Sequence, residues 1–384
     1  MNRAIALLFF LCAVAAAPPA AAQLGDIVPS LPSLPVIEDL EIAAPDTRAL
    51  RVRELLRSRR GVIEADPNGE PVVRGQILAL GLSEAAQARA RAEGFEIVRI
   101  DRIEGQTALV TLRAPRGMST RRALRRLRDA DPQAIYDFDH LHLESGPDLA
   151  GLSMAQAGAD VRGARVGLID SGVETSVGAV VVQRAFAGDA PVAAAHGTAI
   201  AQLLSRSAPG VSIYAADIYG GAPTGGASSA LARALLWLAS EDVPVINVSL
   251  VGPRNRIVEA IVSRLSSRGV VIVAAVGNDG PAAAPLYPAA YEQVIGVTGV
   301  DARQRVLPEA GRGAHVDFAA LAVQGRARGT SYAAPIVSGE LAMLVRAPSL
   351  QTAAAAIAAL RARALDLGER GRDDAYGYGL IEAN

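Results

Sequence analysis

The sequence predicts an α/β protein: a parallel sheet with helices on both faces, preceded by a small α+β domain. Three observations carry this. Beyond Gly151, short β-branched apolar runs alternate with helical stretches, the pattern of strands buried on both faces and joined by helical crossovers. Upstream, residues 48–131 hold eighteen arginines against eleven acids, whereas residues 151–384 hold nineteen of each, so two regions of different charge balance share the chain. At 384 residues, 51% hydrophobic and 20% charged, the chain has length for about two domains and is too apolar for wholesale disorder.

The first segment, residues 1–22, reads as a secretory leader. Arg3 precedes an apolar run from Ala4 to Ala17, and Ala20, Ala21 and Ala22 are the small residues a signal peptidase accepts. An uncleaved anchor is the alternative, but Pro18 and Pro19 interrupt the run before it reaches the roughly 20 residues a span requires. The only cysteine, Cys12, lies inside this run, so thiolate metal sites, disulfides and cysteine catalysis are excluded from the remainder. Residues 23–47 are rich in proline and read as an extended linker.

Residues 48–145 read as a basic domain. Strands are expected over Pro71–Leu80, Phe95–Ile103, Gln106–Leu112 and Ala134–Leu143. Helices are expected over Ser83–Glu93, with Ser83 as N-cap, and over Ser119–Asp129, where Ala123, Leu124 and Leu127 form one apolar face. This β-α-β-β-α-β order describes a helix-on-sheet unit and by itself assigns no function. All 38 basic residues are arginine, and 39 acids balance them to a net charge of −1, which argues against nucleic acid as the main partner.

Residues 151–384 form the second domain. Strands are expected over Arg165–Ile169, Val211–Ala216, Val243–Leu250, Val270–Val276 and Val294–Val300, with helices over His196–Ser205, Ser228–Ser240 and Ile257–Arg268. In such a sheet, ligand groups gather at the carboxyl ends of the strands. Asp170 ends a strand in V-G-L-I-D-S-G, His196 opens a helix in H-G-T-A-I-A, and Ser331 precedes a helix in G-T-S-Y-A-A-P. Each has an ordinary structural reading, as turn residue, helix residue and N-cap. The other histidines, His140, His142 and His315, have no partner acid at ligand spacing; the first two are placed on an exposed strand end and the third in a loop. Ala333 stands where the lipase elbow G-x-S-x-G needs glycine, and no phosphate-binding glycine run follows any strand.

Taken in order, Asp170, His196 and Ser331 in these contexts resemble the subtilisin-like serine peptidases. A-A-V-G-N-D-G, N-V-S-L-V-G, L-Y-P-A-A-Y, V-D-F-A-A and Y-G-Y-G-L-I-E-A also fall in the family's order. The resemblance covers Gly151 to Asn384 and implies a triad in which His196 is the base, Asp170 its orienting acid and Ser331 the nucleophile, with Asn278 donating to the oxyanion. It implies that extended substrate lies between Gly225–Gly226 and Ser249–Leu250. The pocket for the residue before the cut would be walled by the Ser249–Leu250–Val251 strand and by Ala275–Gly277, with Leu286 near its floor. Val251 and Leu286 stand where family members often have glycine, so a preference for small residues is expected there.

By position, the basic domain resembles the family's propeptide, an intramolecular inhibitor; residues 23 to about 145 would be removed by the enzyme itself, a permanent accessory domain being the alternative. No cofactor or metal is implied, since the helix after His196 continues without the insertion that holds calcium in relatives. The expected protein is a secreted serine endopeptidase, periplasmic or extracellular, with protein or peptide substrates, its own N-terminal domain as a further partner, and no membrane association after leader cleavage. The rival reading is a catalytically silent secreted binding protein on the same scaffold, against which the intact triad and Asn278 argue.

Overall fold

The computed structural model describes residues 47–102, 108–145, 163–324 and 327–382. The leader and all of the proline-rich linker but its last residue, Thr47, lie outside the described residues, as does Gly151. Among the described residues, no helix is long and apolar enough to cross a membrane.

The first half begins with α1 (Thr47–Ser58) and β1 (Ile63–Ala65), neither of which the sequence pattern announced. There follow β2 (Pro71–Leu80), α2 (Glu84–Ala92), β3 (Glu96–Arg102), β4 (Ala108–Arg113), α3 (Thr120–Ala130) and β5 (Ile135–His140), close to the expected spans. The strands form one antiparallel sheet in the order β1-β2-β4-β3, with β5 on β2. Ser83 caps α2 by accepting the backbone N–H of Ala86 at 3.1 Å.

The alternation of strand side chains explains why β2 is apolar on both faces. Ile77 and Ala79 point into a cluster with Ala123, Leu124 and Leu127 of α3, while Leu78, together with Leu109 of β4, joins the core of the second half. The sheet is therefore covered by its own helices on one face and by another part of the chain on the other.

The second half contains β7 (Arg165–Asp170), β8 (Val180–Ala185), α4 (Ala195–Ser207), β9 (Ser212–Asp217), α5 (Ser228–Ser240), β10 (Val245–Val248), β11 (Leu250–Val251), α6 (Arg256–Ser266), β12 (Val271–Ala275), β13 (Val294–Val300), β14 (Phe318–Leu321), α7 (Ala334–Leu344) and α8 (Leu350–Arg363); β6 (Leu143–Glu144) precedes them. Seven strands pair in parallel in the order β14-β13-β12-β10-β7-β9-β8. Val166, Leu168, Val245 and Val273 pack on one face against Ile200 and Leu204 of α4 and Val337 of α7; Ile169, Ile246 and Ile272 pack on the other against Leu235 of α5 and Ile261 of α6. This is the expected doubly covered parallel sheet.

The strand expected over Ala134–Leu143 is two strands. β5 stays in the N-terminal sheet, and after Leu141 and His142 the chain pairs as β6 with β11 beside the parallel sheet. Nor is this strand end exposed: His140 is 4% accessible and His142 fully buried, because the second half covers both. His140 also has the partner acid that sequence spacing did not reveal, Asp66, at 3.4 Å.

β5 further presents two carboxylates, at alternate positions, to helix N-termini of the second half. Asp139 accepts the backbone N–H and hydroxyl of Ser229 on α5, each at 2.8 Å, and Asp137 accepts the N–H of Arg256 on α6 at 2.8 Å. The N-cap residue of α5, Ala227, has no side-chain acceptor of its own, so Asp139 supplies the cap from outside.

Candidate active site

The three residues singled out by motif come from three separate elements at one end of the sheet. Asp170 is the last residue of β7, His196 lies in the first turn of α4, and Ser331 sits in a 3₁₀ turn, Thr330–Tyr332, just before α7. All three are fully buried. Nδ1 of His196 donates to Oδ1 of Asp170 at 2.8 Å, and the same oxygen accepts the N–H of Ser171 at 2.8 Å. With Nδ1 as the donor, Nε2 is the basic nitrogen of the neutral ring.

Two glycines permit this approach. A Cβ on Gly197 would lie 2.2 Å from the carbonyl oxygen of Ser171, and one on Gly172 would lie 2.4 Å from that of Val192. The bare backbone at Gly197 is what lets the start of α4 sit against the turn after β7.

Ser331 is held by its main chain. Its carbonyl accepts the hydroxyl of Ser249 at 3.0 Å; Ser249 in turn accepts Asn247 Nδ2 at 2.9 Å, and Asn247 Oδ1 accepts the hydroxyl of Ser338 on α7 at 3.0 Å. This buried chain of polar groups ties the turn to β10 and α7. Oγ of Ser331 is buried and makes no hydrogen bond among the described residues.

Over the site lies the chain's own segment, residues 141–145. Leu143 and Glu144 pair antiparallel with Val251 and Leu250. On the opposite side, the N–H of His142 donates to the carbonyl of Gly226 at 2.7 Å, and Leu141 bridges to Ala227. The N–H of Ser145 donates to the carbonyl of Ser249 at 3.2 Å. The segment is thus the middle strand of a three-stranded ribbon.

At its end, the carbonyl oxygen of Ser145 accepts Nδ2 of Asn278 at 3.0 Å and the N–H of Ser331 at 3.3 Å. Thr330 completes this corner: its N–H donates to Oδ1 of Asn278 at 3.0 Å, and its hydroxyl lies 3.1 Å from Oγ of Ser145.

Of the expected substrate contacts, Gly226, Ser249, Leu250 and Val251 touch the segment through their backbones. Gly225 only shapes the turn before it: a Cβ there would meet the backbone of Tyr219 at 2.6 Å. Ala275 packs into the core beneath the sheet end. Val251 and Leu286 converge on Gly277, where a Cβ would meet Leu286 Cδ1 at 2.7 Å and Val251 Cγ1 at 3.5 Å. Sequence reasoning did not find Ser145, Thr330 or His142. Thr330 stood beside Ser331 in a quoted motif, but the contributions of Ser145 and His142 depend on where a distant segment docks.

Among the described residues, one group of side chains brings three potential metal ligands together. Atoms of Glu144, Asp170 and His196 lie within 4.8 Å of one another. The carboxylate of Glu144 belongs to the overlying segment, so this cluster is the Asp170–His196 pair with one side chain of that segment laid against it.

This fold and arrangement define the class. The family model for the subtilase family matches residues 189–379. Subtilisin Savinase of Lederbergia lenta is 30% identical over 187 residues, 46% of this chain and 68% of that protein. The minor extracellular protease Epr of Bacillus subtilis is 26% identical over 251 residues, 59% of this chain but 39% of Epr. The crystal structure of fervidolysin from Fervidobacterium pennivorans superposes with a TM-score of 0.66 over 84% of this chain and 61% of that one, at 19% identity, a likeness of fold. The chain belongs to the subtilase family of serine peptidases. It spans well under half the length of Epr.

Proposed function

We propose that this chain is the precursor of a secreted serine endopeptidase that cuts its own Ser145–Gly146 bond and is then held inhibited by the N-terminal half until that half is lost. One observation carries the reading: the carbonyl oxygen of Ser145 lies between Asn278 Nδ2 at 3.0 Å and the N–H of Ser331 at 3.3 Å, on a strand that ends at the nucleophile. Two donors converging on a single main-chain carbonyl are what an oxyanion site requires.

In this mechanism His196 Nε2 takes the proton of Ser331 Oγ as that oxygen attacks the carbonyl carbon of Ser145. Asp170 holds the ring in the tautomer that makes Nε2 the acceptor and stabilises the imidazolium that forms. Negative charge develops on the Ser145 oxygen and is met by Asn278 and the Ser331 N–H. The intermediate collapses by breaking the bond to the nitrogen of Gly146, which receives the proton from His196. Ser145 is left as an ester on Ser331, and a water deprotonated by His196 releases it as a carboxylate. Peptides from other proteins would bind in the same ribbon once residues 141–145 leave it.

The residue before the cut is small in this chain, and Leu286 and Val251 crowd the space beside Gly277. Both support a preference for small side chains at that position. Secretion through residues 1–22 completes the proposal.

The deciding experiment is mass measurement of the purified protein beside Ser331→Ala. Wild type should yield a fragment beginning at Gly146, while Ser331→Ala stays uncut at that bond. Cleavage of the pure Ser331→Ala protein at the same bond would overturn self-processing.

A further inference from the structure

Away from the triad, a cavity of about 450 Å³ opens where the two halves meet. Six arginines line it: Arg99 and Arg102 from β3, Arg184 from β8, Arg233 from α5, and Arg264 and Arg268 from α6 and the turn after it. A single acid, Asp101, is among the lining residues, and both of its oxygens lie within 2.9 Å of Nε of Arg99. Among the described lining residues, Arg99, Arg102, Arg184 and Arg233 alone outnumber the one carboxylate.

The guanidinium groups are placed rather than loose. Arg233 donates to the carbonyls of Ser229 and Phe186, which fixes its plane in the cavity wall. Arg184 lies over the rings of Phe186 and Trp237, 5.4 and 6.0 Å from their centroids. Burial lowers the Arg233 pKa from its ordinary value; the neighbouring charges of Arg99 and Arg184 lower it further, and Asp101 and Asp139 offset part of that repulsion. Like charges gathered from both halves of the chain oppose their docking, and a bound anion reverses the sign of that interaction. Planar guanidinium forks match phosphoryl oxygens in pairs, and several forks around one space favour several linked phosphoryl groups over one.

We propose that this cavity binds a multivalent phosphate, such as a short oligophosphate chain, and that the ligand clamps the N-terminal half onto the second half. Because Arg99 and Arg102 come from one half and the other four arginines from the other, the bound anion contacts both. If the N-terminal half is the inhibitor assigned above, the ligand would delay its release; binding itself does not rest on that reading.

The test uses the full chain carrying Ser331→Ala, its integrity checked by mass before titration. Calorimetric titration with tripolyphosphate at constant ionic strength should show one site per chain and a raised melting temperature. Charge reversal at the exposed Arg102 and Arg184 (Arg102→Glu with Arg184→Glu) should weaken binding at least tenfold. Reversal of Arg121 and Arg125 on the exposed face of α3 should leave it unchanged. Should the reversal variant fail to fold, Arg184→Lys retains the charge but loses the fork, and should weaken binding several-fold. Vesicles containing phosphatidate form a parallel arm: capture through the same arginines assigns the phosphoryl source to a lipid headgroup, and binding of tripolyphosphate alone assigns it to a soluble anion. No saturable binding, or equal loss of binding from the α3 reversal, overturns the proposal.

Discussion

Oδ1 of Asn278 accepts the backbone N–H of Thr330 at 3.0 Å, and this bond decides which end of the amide faces Ser145. With its oxygen committed, Nδ2 is turned toward the Ser145 carbonyl at 3.0 Å. Removing the donor while keeping the fold should raise the barrier by about 2.7–4 kcal/mol, a loss of roughly 100- to 1000-fold in turnover. Asn278→Ala should therefore lower kcat on a peptide substrate by that factor with KM little changed, read by steady-state kinetics on the processed enzyme. Unchanged kcat would remove Asn278 from the mechanism.

Leu286 and Val251 crowd the position beside Gly277, and forcing an aromatic ring into a filled site costs about 1–3 kcal/mol. On matched peptides, alanine before the cut should be preferred over phenylalanine by roughly 10- to 200-fold in kcat/KM. Leu286→Gly should narrow or invert that ratio. A wild-type enzyme that is faster on phenylalanine would show that the pocket opens elsewhere.

Gly197→Ala places a methyl carbon 2.2 Å from the carbonyl oxygen of Ser171, closer than any contact allows. α4 must then retreat from the turn after β7, and the 2.8 Å bond between His196 and Asp170 stretches or breaks. We expect a variant that folds and melts cooperatively yet loses most of its turnover, since an unoriented imidazole has lost its tautomer partner. Full activity together with normal melting would show that the start of α4 can yield without disturbing His196.

The parallel sheet was legible in the sequence because its central strands are short runs of valine and isoleucine that no amphipathic helix would tolerate. β8 was not, since it is an edge strand whose Val181 and Val182 face solvent and break any buried pattern. α8 was missed for a related reason: only Ala353, Ala356 and Leu360 are buried in an alanine-rich stretch, leaving little contrast between its faces. The motif residues Asp170, His196 and Ser331 were legible as types of side chain, and the structure brings their elements to one end of the sheet. Ser145 carried no signal, because what matters there is a main-chain carbonyl put in place by pairing between distant strands. His140 and His142 looked exposed because the surface that buries them comes from another half of the chain.

His142 supplies a pH dependence whose sign follows from its burial. Its ring is fully buried in the docked segment, with Nδ1 3.3 Å from the carbonyl of Gly226 and Nε2 making no hydrogen bond among the described residues. A Cβ on Gly252 would lie 2.5 Å from the ring, so the backbone there closes one side of it. Burial first, and the nearby charge of His140 second, depress its pKa from 6.5 to about 3. A base whose pKa is depressed on docking binds more protons when released. Its contribution to docking is therefore fully present above about 6.5 and is lost as pH falls toward 3. Between those limits each pH unit costs about tenfold, or about 1.4 kcal/mol, so docking at pH 4.5 should be roughly 100-fold weaker than at pH 7 on account of this residue. Asp139 works the other way: burial raises its pKa, and its protonation favours the docked state on acidification. Burial raises the Asp66 pKa, but bonds from His140 and the backbone outweigh it and hold the group below its ordinary value. Comparison with His142→Leu isolates the histidine. Calorimetric affinity of the separated N-terminal half for the processed enzyme should fall more steeply with acid in wild type than in the leucine variant. Parallel pH profiles for the two would show that His142 is docked without its penalty.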